Sequence, residues 1–151
     1  MVDLSLKSPV FEHMGNIPSK YTCQGENISP PLSFSNVPEN AKSLALIVED
    51  PDAPGITVTH WVICHLDPTI TEIPEGGKLV KAIIGKNMRG KSEYMGPCPP
   101  FGKHRYIFKL FALDEQLELD SKSKKKHLMK KMQGHIIEEA QLIGVYQKFK
   151  S

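Results

Sequence analysis

The sequence predicts a mainly β fold, an antiparallel β-sandwich carrying one C-terminal helix. Three observations lead there: short apolar segments rich in β-branched and aromatic residues, clusters of proline and glycine between them, and a hydrophobic period that lengthens to helical spacing only after Asp120. Twelve prolines also argue against a helical bundle, because proline lacks a backbone donor and interrupts regular helix. A length of 151 residues, 40% of them hydrophobic, supports a single domain over residues 1–151 with a core of its own.

In chain order, Leu4, Leu6 and Phe11 bracket an extended opening broken by Pro9, and Ile17 to Cys23 reads as a second short extended piece. Gln24 to Pro31 is turn chemistry, and the extended Leu32 to Phe34 is followed by a break at Val37-Pro38-Glu39-Asn40. Ser43 to Glu49 is a continuous apolar run with β-branched members, expected to be a strand covered on both faces. It ends in the tight loop Asp50-Pro51-Asp52-Ala53-Pro54-Gly55. Ile56 to Leu66 alternates, with Ile56, Val58, His60, Val62 and Cys64 on one face and Trp61 and Ile63 on the other.

After the loop Pro68 to Gly77, a strand is expected over Leu79 to Ile84, and Gly85 to Met95 is mostly polar. Gly96-Pro97-Cys98-Pro99-Pro100-Phe101-Gly102 can form neither helix nor ladder. It delivers the chain into a strand that puts His104, Tyr106, Phe108 and Leu110 on one face. Beyond Asp120, Leu128, Met132, His135 or Ile136, Glu139 and Ile143 fall at helical spacing. Ser121 or Ser123 is the expected N-cap, Gly144 the stop, and Val145 to Phe149 a last extended piece.

A net charge of +2, with no basic face interleaved with aromatics, argues against a nucleic-acid partner. The longest apolar run, Leu44 to Val48, is too short for a membrane span, and Met1 to Lys7 lacks the basic-then-apolar pattern of a signal peptide; a cytoplasmic protein is expected. Cys23, Cys64 and Cys98 are odd in number and widely spaced, which reads as reduced thiols. Cys23 and Cys98 both occupy punctuated loops, so a redox pair is the alternative. Lys122, Lys124, Lys125, Lys126, Lys130 and Lys131 cluster where the helix should begin. Such a run is ordinarily a solvated face, and it allows at most peripheral attraction to an anionic membrane or partner.

The chemistry concentrates at Asp50, His60 and His104. A histidine on a face with Ile56, Val58 and Val62 needs a partner, because an unpaired buried imidazole costs about 1–3 kcal/mol. One loop aspartate, two histidines and a proline-braced loop together point to a preformed site.

These segments, Asp50 to Gly55, His60-Trp61 and Gly96 to Tyr106, resemble the signature regions of the phosphatidylethanolamine-binding protein family. The likeness is to its bacterial and archaeal Raf-kinase-inhibitor-like (YbhB/YbcL) branch. Lys20-Tyr21-Thr22-Cys23, Ser29-Pro30-Pro31-Leu32, Ser43-Leu44-Ala45-Leu46 and Met132-Gln133-Gly134-His135-Ile136 extend the resemblance over nearly the whole chain. It implies a β-sandwich and a small pocket for phosphate, a phosphorylated headgroup or another small anion. That pocket would be lined by Asp50, Pro54, His60, Gly96, Pro97, His104 and Tyr106, with Tyr146 as a looser candidate. It implies no catalytic residue and no cofactor, a cis peptide at Ala53-Pro54, and a protein partner such as a kinase or protease as a further role; a homodimer is left open.

Three other readings are weaker. Gly85-Lys86-Asn87-Met88-Arg89-Gly90-Lys91-Ser92 fits the G-x-x-x-x-G-K-S phosphate-loop pattern, but Gly96-Pro97 leaves no room for the helix that must follow. A hydrolase using the histidines and Asp50, or Cys98 as nucleophile beside His104, is the enzymatic alternative. His60 and Cys64 lie about 13 Å apart along a strand, too far to share one zinc ion, so a metal site would have to use His60, His104 and Asp50.

Overall fold

Strand β4, Ser43–Asp50, is buried at every residue because it runs between β5, Val58–Leu66, and β8, His104–Leu113. The computed structural model describes residues 3–79 and 81–149. With β2 at Gly15–Asn16, β7 at Ile83–Ile84 and β9 at Ile136–Tyr146, the large sheet has the order β2-β9-β8-β4-β5-β7. Its pairs are antiparallel except β2 with β9, which is parallel. A smaller antiparallel sheet has the order β1-β3-β6, from Ser5–Lys7, Leu32–Ser35 and Glu72–Ile73.

The large sheet is covered on both faces. On one, Leu46, Val48, Phe108 and Leu110 meet Leu6, Phe34 and Ile73 of the small sheet. On the other, Ala45, Ile47, Val62 and Phe111 lie under Leu128 and Met132 of helix α1, Lys125–Met132. The mainly β sandwich with one late helix is therefore the fold, and the apolar run of β4 reflects its two covered faces.

Helix α1 is shorter than the periodicity suggests. It ends at Met132, Gly134 takes a φ of 83°, and Ile136 onward is strand β9, so Glu139 and Ile143 are strand residues. The competing force is β8, whose outer edge carries ten residues of backbone groups that need a ladder partner. Gly144 is no helix stop. A Cβ there would come within 2.5 Å of the Ile17 side chain, so glycine is set by close packing of β9 on the N-terminal segment. The N-cap is Lys124, not a serine, and His127 Nδ1 accepts the Lys124 N–H at 2.9 Å.

Two further expectations change. Ser19–Tyr21 is a 3-10 turn within the segment expected to be extended. Of Leu79 to Ile84, only Ile83–Ile84 pairs as strand, and Val80 lies outside the described residues.

Candidate functional site

Asp50 ends β4 and His104 begins β8, and both side chains are turned to the inter-sheet face of the large sheet. The His104 Nδ1–H donates to Asp50 Oδ2 at 2.7 Å, with the two residues only 6% and 3% exposed. Two residues along the same face, the Tyr106 hydroxyl is buried and has no hydrogen-bond partner among the described residues. Burial, then the charge of Asp50, pushes the Tyr106 phenol far above its usual pKa, so it stays a protonated donor.

His60 reaches this group through an irregularity that alternation does not foresee. Pairing of β4 with β5 steps from Val48↔Trp61 to Glu49↔Thr59, which leaves His60 as an extra residue, a β-bulge. His60 stands edge-on to Tyr106, ring centroids 5.2 Å apart, while Trp61 enters the inter-sheet core beside Tyr94. Val62 and Cys64, expected on the face of His60, lie instead beneath the helix, and Ile56 is exposed. The His60 Nδ1–H donates to the Met95 carbonyl at 2.6 Å, which leaves Nε2 as its second polar atom. Burial lowers the His60 pKa, outweighing the Met95 carbonyl and Asp50, which act to raise it.

The third wall is the loop around Gly96. Cys23 and Cys98 form a disulfide, so their reading as reduced thiols is overturned; two punctuated loops meet because the Cys23 N–H also donates to the Pro97 carbonyl at 3.1 Å. Only Cys64 is a free thiol among the described residues, and burial pushes it up to about 11. The disulfide also removes Cys98 as a nucleophile and withdraws the thiol argument for a reducing compartment. The Gly96 N–H donates to Asn27 Oδ1 at 2.9 Å, and a Cβ on Gly96 would come within 2.2 Å of that oxygen and 2.5 Å of the Tyr21 carbonyl.

These walls enclose a cavity of about 260 Å³. Asp50, His60, Gly96, His104 and Tyr106 line it, as the sequence leads one to expect. Pro54 lies across Asp52 and His104, in an open neighbouring hollow, and Pro97 is a buried brace behind the wall. Tyr146 pairs with His104 in register, but its hydroxyl donates to Gln24 Oε1 at 2.5 Å and it is not part of the cavity wall. Ala53-Pro54 is trans; among the described residues there is no cis peptide. The Asp50 loop is instead held by Arg105, which donates twice from its side chain and once from its backbone to the Asp52 carboxylate. Those bonds lower the Asp52 pKa to about 2.

Sequence reasoning missed Asn27, Met95 and Arg89 at this cavity. Asn27 has a φ of 58° and sits in the turn-rich Gln24 to Pro31 stretch, which was the available signal. Arg89 belongs to the phosphate-loop-like segment, where no helix begins at Lys91-Ser92. Asp50, His60 and His104 are not a metal-spaced group among the described residues. Among the described residues, the group with suitable ligand spacing is Asp114, Glu115 and His135, at the far end of β8.

Fold and cavity define a β-sandwich protein with a histidine–aspartate pocket at one end of its large sheet. The chain belongs to the phosphatidylethanolamine-binding protein family, which it matches over residues 7–147. It is 49% identical over 150 residues to a UPF0098 protein of Methanothermobacter thermautotrophicus, covering 96% of this chain and 99% of the relative. A crystal structure of a phosphatidylethanolamine-binding protein homolog from Chlamydia trachomatis superposes with a TM-score of 0.94 at 45% identity, covering 97% and 99% of the two chains. E. coli YbcL, described as a new member of the mammalian PEBP family, superposes at 0.91 with 30% identity, covering 98% and 100%. No helix among the described residues is long and apolar enough to cross a membrane.

Proposed function

We propose that this chain binds a small anion, a phosphate or a phosphorylated headgroup such as phosphoethanolamine, between His60 and His104. The observation that carries this reading is the unpartnered Tyr106 hydroxyl, buried beside the Asp50–His104 pair and facing the same cavity. A buried donor without an acceptor is costly, and a ligand oxygen would satisfy it. His104 and His60 each have one ring nitrogen committed to the protein and one left over. Arg89, exposed at the rim, adds a cation, and Asp50 suits the ammonium of an ethanolamine group.

A volume of about 260 Å³ lies just below the roughly 300–1,000 Å³ of sites for drug-sized ligands, so it suits a headgroup rather than a whole lipid. A hydrolase is less well supported. The one hydroxyl at the centre is held protonated by burial, and the cysteine in the wall is in a disulfide.

Isothermal titration with phosphate, phosphoethanolamine and acetate tests the reading, together with crystals soaked in each. Density between the two imidazoles, and an affinity that falls at least about tenfold in Tyr106→Phe, is the expected result. An empty cavity in all three soaks with no heat of binding would falsify it.

A further inference from the structure

The buried Asp50–His104 pair is backed by a second acid–base pair, Asp52 with Arg105, drawn from the same two segments. Arg105 follows His104 on β8, and alternation turns the histidine inward to a buried position and the arginine outward to an exposed one. The ladder between β4 and β8 has its last partners at Glu49 and Ile107. Past that point, two carboxylates supply the acceptors that hold the segments together.

The two pairs are joined through Asp50. Its Oδ2 accepts from His104 Nδ1, and its Oδ1 accepts the Asp52 N–H at 2.7 Å, the bond by which an aspartate closes a turn over the residue two places on. One oxygen faces the imidazole and the other is pinned by the turn. Asp52 is itself fixed by Arg105: the Arg105 backbone N–H and Nε donate to Oδ2 at 2.8 and 2.9 Å, and Nη2 donates to Oδ1 at 2.9 Å. A forked guanidinium–carboxylate contact sets orientation as well as distance.

The position of this outer pair matters more than its strength. An exposed ion pair adds little to stability, yet this one holds the residue whose N–H sets the angle of the Asp50 carboxylate. If Asp52 swings away, Asp50 Oδ1 loses its donor, the carboxylate is free to rotate, and His104 Nδ1 loses its fixed acceptor. A neutral imidazole without such an acceptor exchanges its proton between the two ring nitrogens. The location of that proton decides what the cavity offers a ligand. With Nδ1–H committed to Asp50, Nε2 is the atom left to accept a proton from an anion or, once protonated, to donate to it.

We infer that Arg105 and Asp52 are positioning residues for His104: acting through the Asp52 N–H and the Asp50 carboxylate, they hold the imidazole in its Nδ1–H form, with Nε2 as the atom offered to the bound anion. The inference rests on the reading of the cavity as an anion site, but its first test needs no ligand.

Long-range proton–nitrogen NMR spectra of the ligand-free full chain, recorded where the histidine rings are neutral, report the tautomer of each. His104 is expected to be the Nδ1–H form in the parent and a mixture of both forms in Arg105→Gln and in Asp52→Asn. His60, whose Nδ1–H donates to the Met95 carbonyl, should be unchanged in all three and serves as the internal control.

Titration with inorganic phosphate supplies the second arm. Each variant is expected to raise Kd at least about fivefold, and the double variant no further than the weaker-binding single one. Asp52, its pKa lowered to about 2 by its bonds to Arg105, is charged throughout, so Asp52→Asn removes a negative charge. Through charge alone that change strengthens binding of an anion, whereas loss of positioning weakens it. Lys103→Ala, which removes an exposed cation from the hollow that holds Asp52 and Arg105, should leave the tautomer unchanged and Kd within twofold. A mixed tautomer in the parent, an Nδ1–H His104 retained in both variants, or tighter phosphate binding by Asp52→Asn overturns the inference. If the parent takes up no phosphate, the anion reading falls, and the tautomer spectra alone decide whether the outer pair positions His104.

Discussion

Asp50 and His104, 54 residues apart in sequence, share a hydrogen bond of 2.7 Å at the buried end of the large sheet. Removing one member of such a pair strands the other. His104→Ala is expected to destabilise the protein by about 3–5 kcal/mol. The double variant Asp50→Asn/His104→Ala should cost less than the sum of the single changes. Urea unfolding of all four proteins checks this, and strict additivity would show the two residues to be independent.

Because burial lowers the pKa of His60, the unfolded chain takes up this proton near pH 6.5 and the folded chain only at lower pH. Between those values the unfolded state holds more protons, so stability falls as pH drops below about 6.5. Comparing urea midpoints at several pH values, His60→Gln should show a shallower fall than the parent. A bound anion favours the imidazolium, so binding in the histidine cavity should take up protons and strengthen as pH falls through the same window. Calorimetry in two buffers of different ionisation enthalpy measures that uptake, and zero uptake contradicts it.

The Cys23–Cys98 disulfide closes a long loop, with a sequence separation of 75, and both cysteines line the cavity. Cys98→Ser should lower stability by about 2–4 kcal/mol and weaken anion binding. Reductant should reproduce both effects in the parent and neither in the variant. Cys64, buried with its pKa pushed up to about 11, should resist alkylation at pH 8 until the protein unfolds.

Gly96→Ala should cost about 1–3 kcal/mol, since its Cβ would overlap the Asn27 side chain and the Tyr21 backbone carbonyl. Adding Asn27→Gly removes the first overlap but leaves the second, so it should not restore the melting temperature. Full rescue would place the conflict with Asn27 alone.

Much of the site was legible because its residues sit in two compact motifs whose local chemistry is distinctive. Proline and glycine around Gly96 mark a rigid loop, and the strand that follows sets His104 and Tyr106 on one face by alternation. Other parts were hidden for identifiable reasons. The bulge at His60 is a property of pairing between β4 and β5, so counting along β5 alone assigns Val62 and Cys64 to the wrong face. The disulfide depends on two loops meeting, which spacing in sequence does not report. Arg89 was passed over because its segment fitted a pattern whose helix is missing.

The sequence by itself determined the mainly β class, the double covering of β4, the proline-braced loop and the family, because each depends on composition or on contacts a few residues long. Only the tertiary structure decided that residues 136–144 are strand rather than the end of a helix, and that Tyr146 turns to Gln24 rather than the cavity. The physical reason is the same in both cases. Local periodicity ranks what a segment prefers, whereas the unpaired edge of β8 and the positions of distant partners determine which preference is realised.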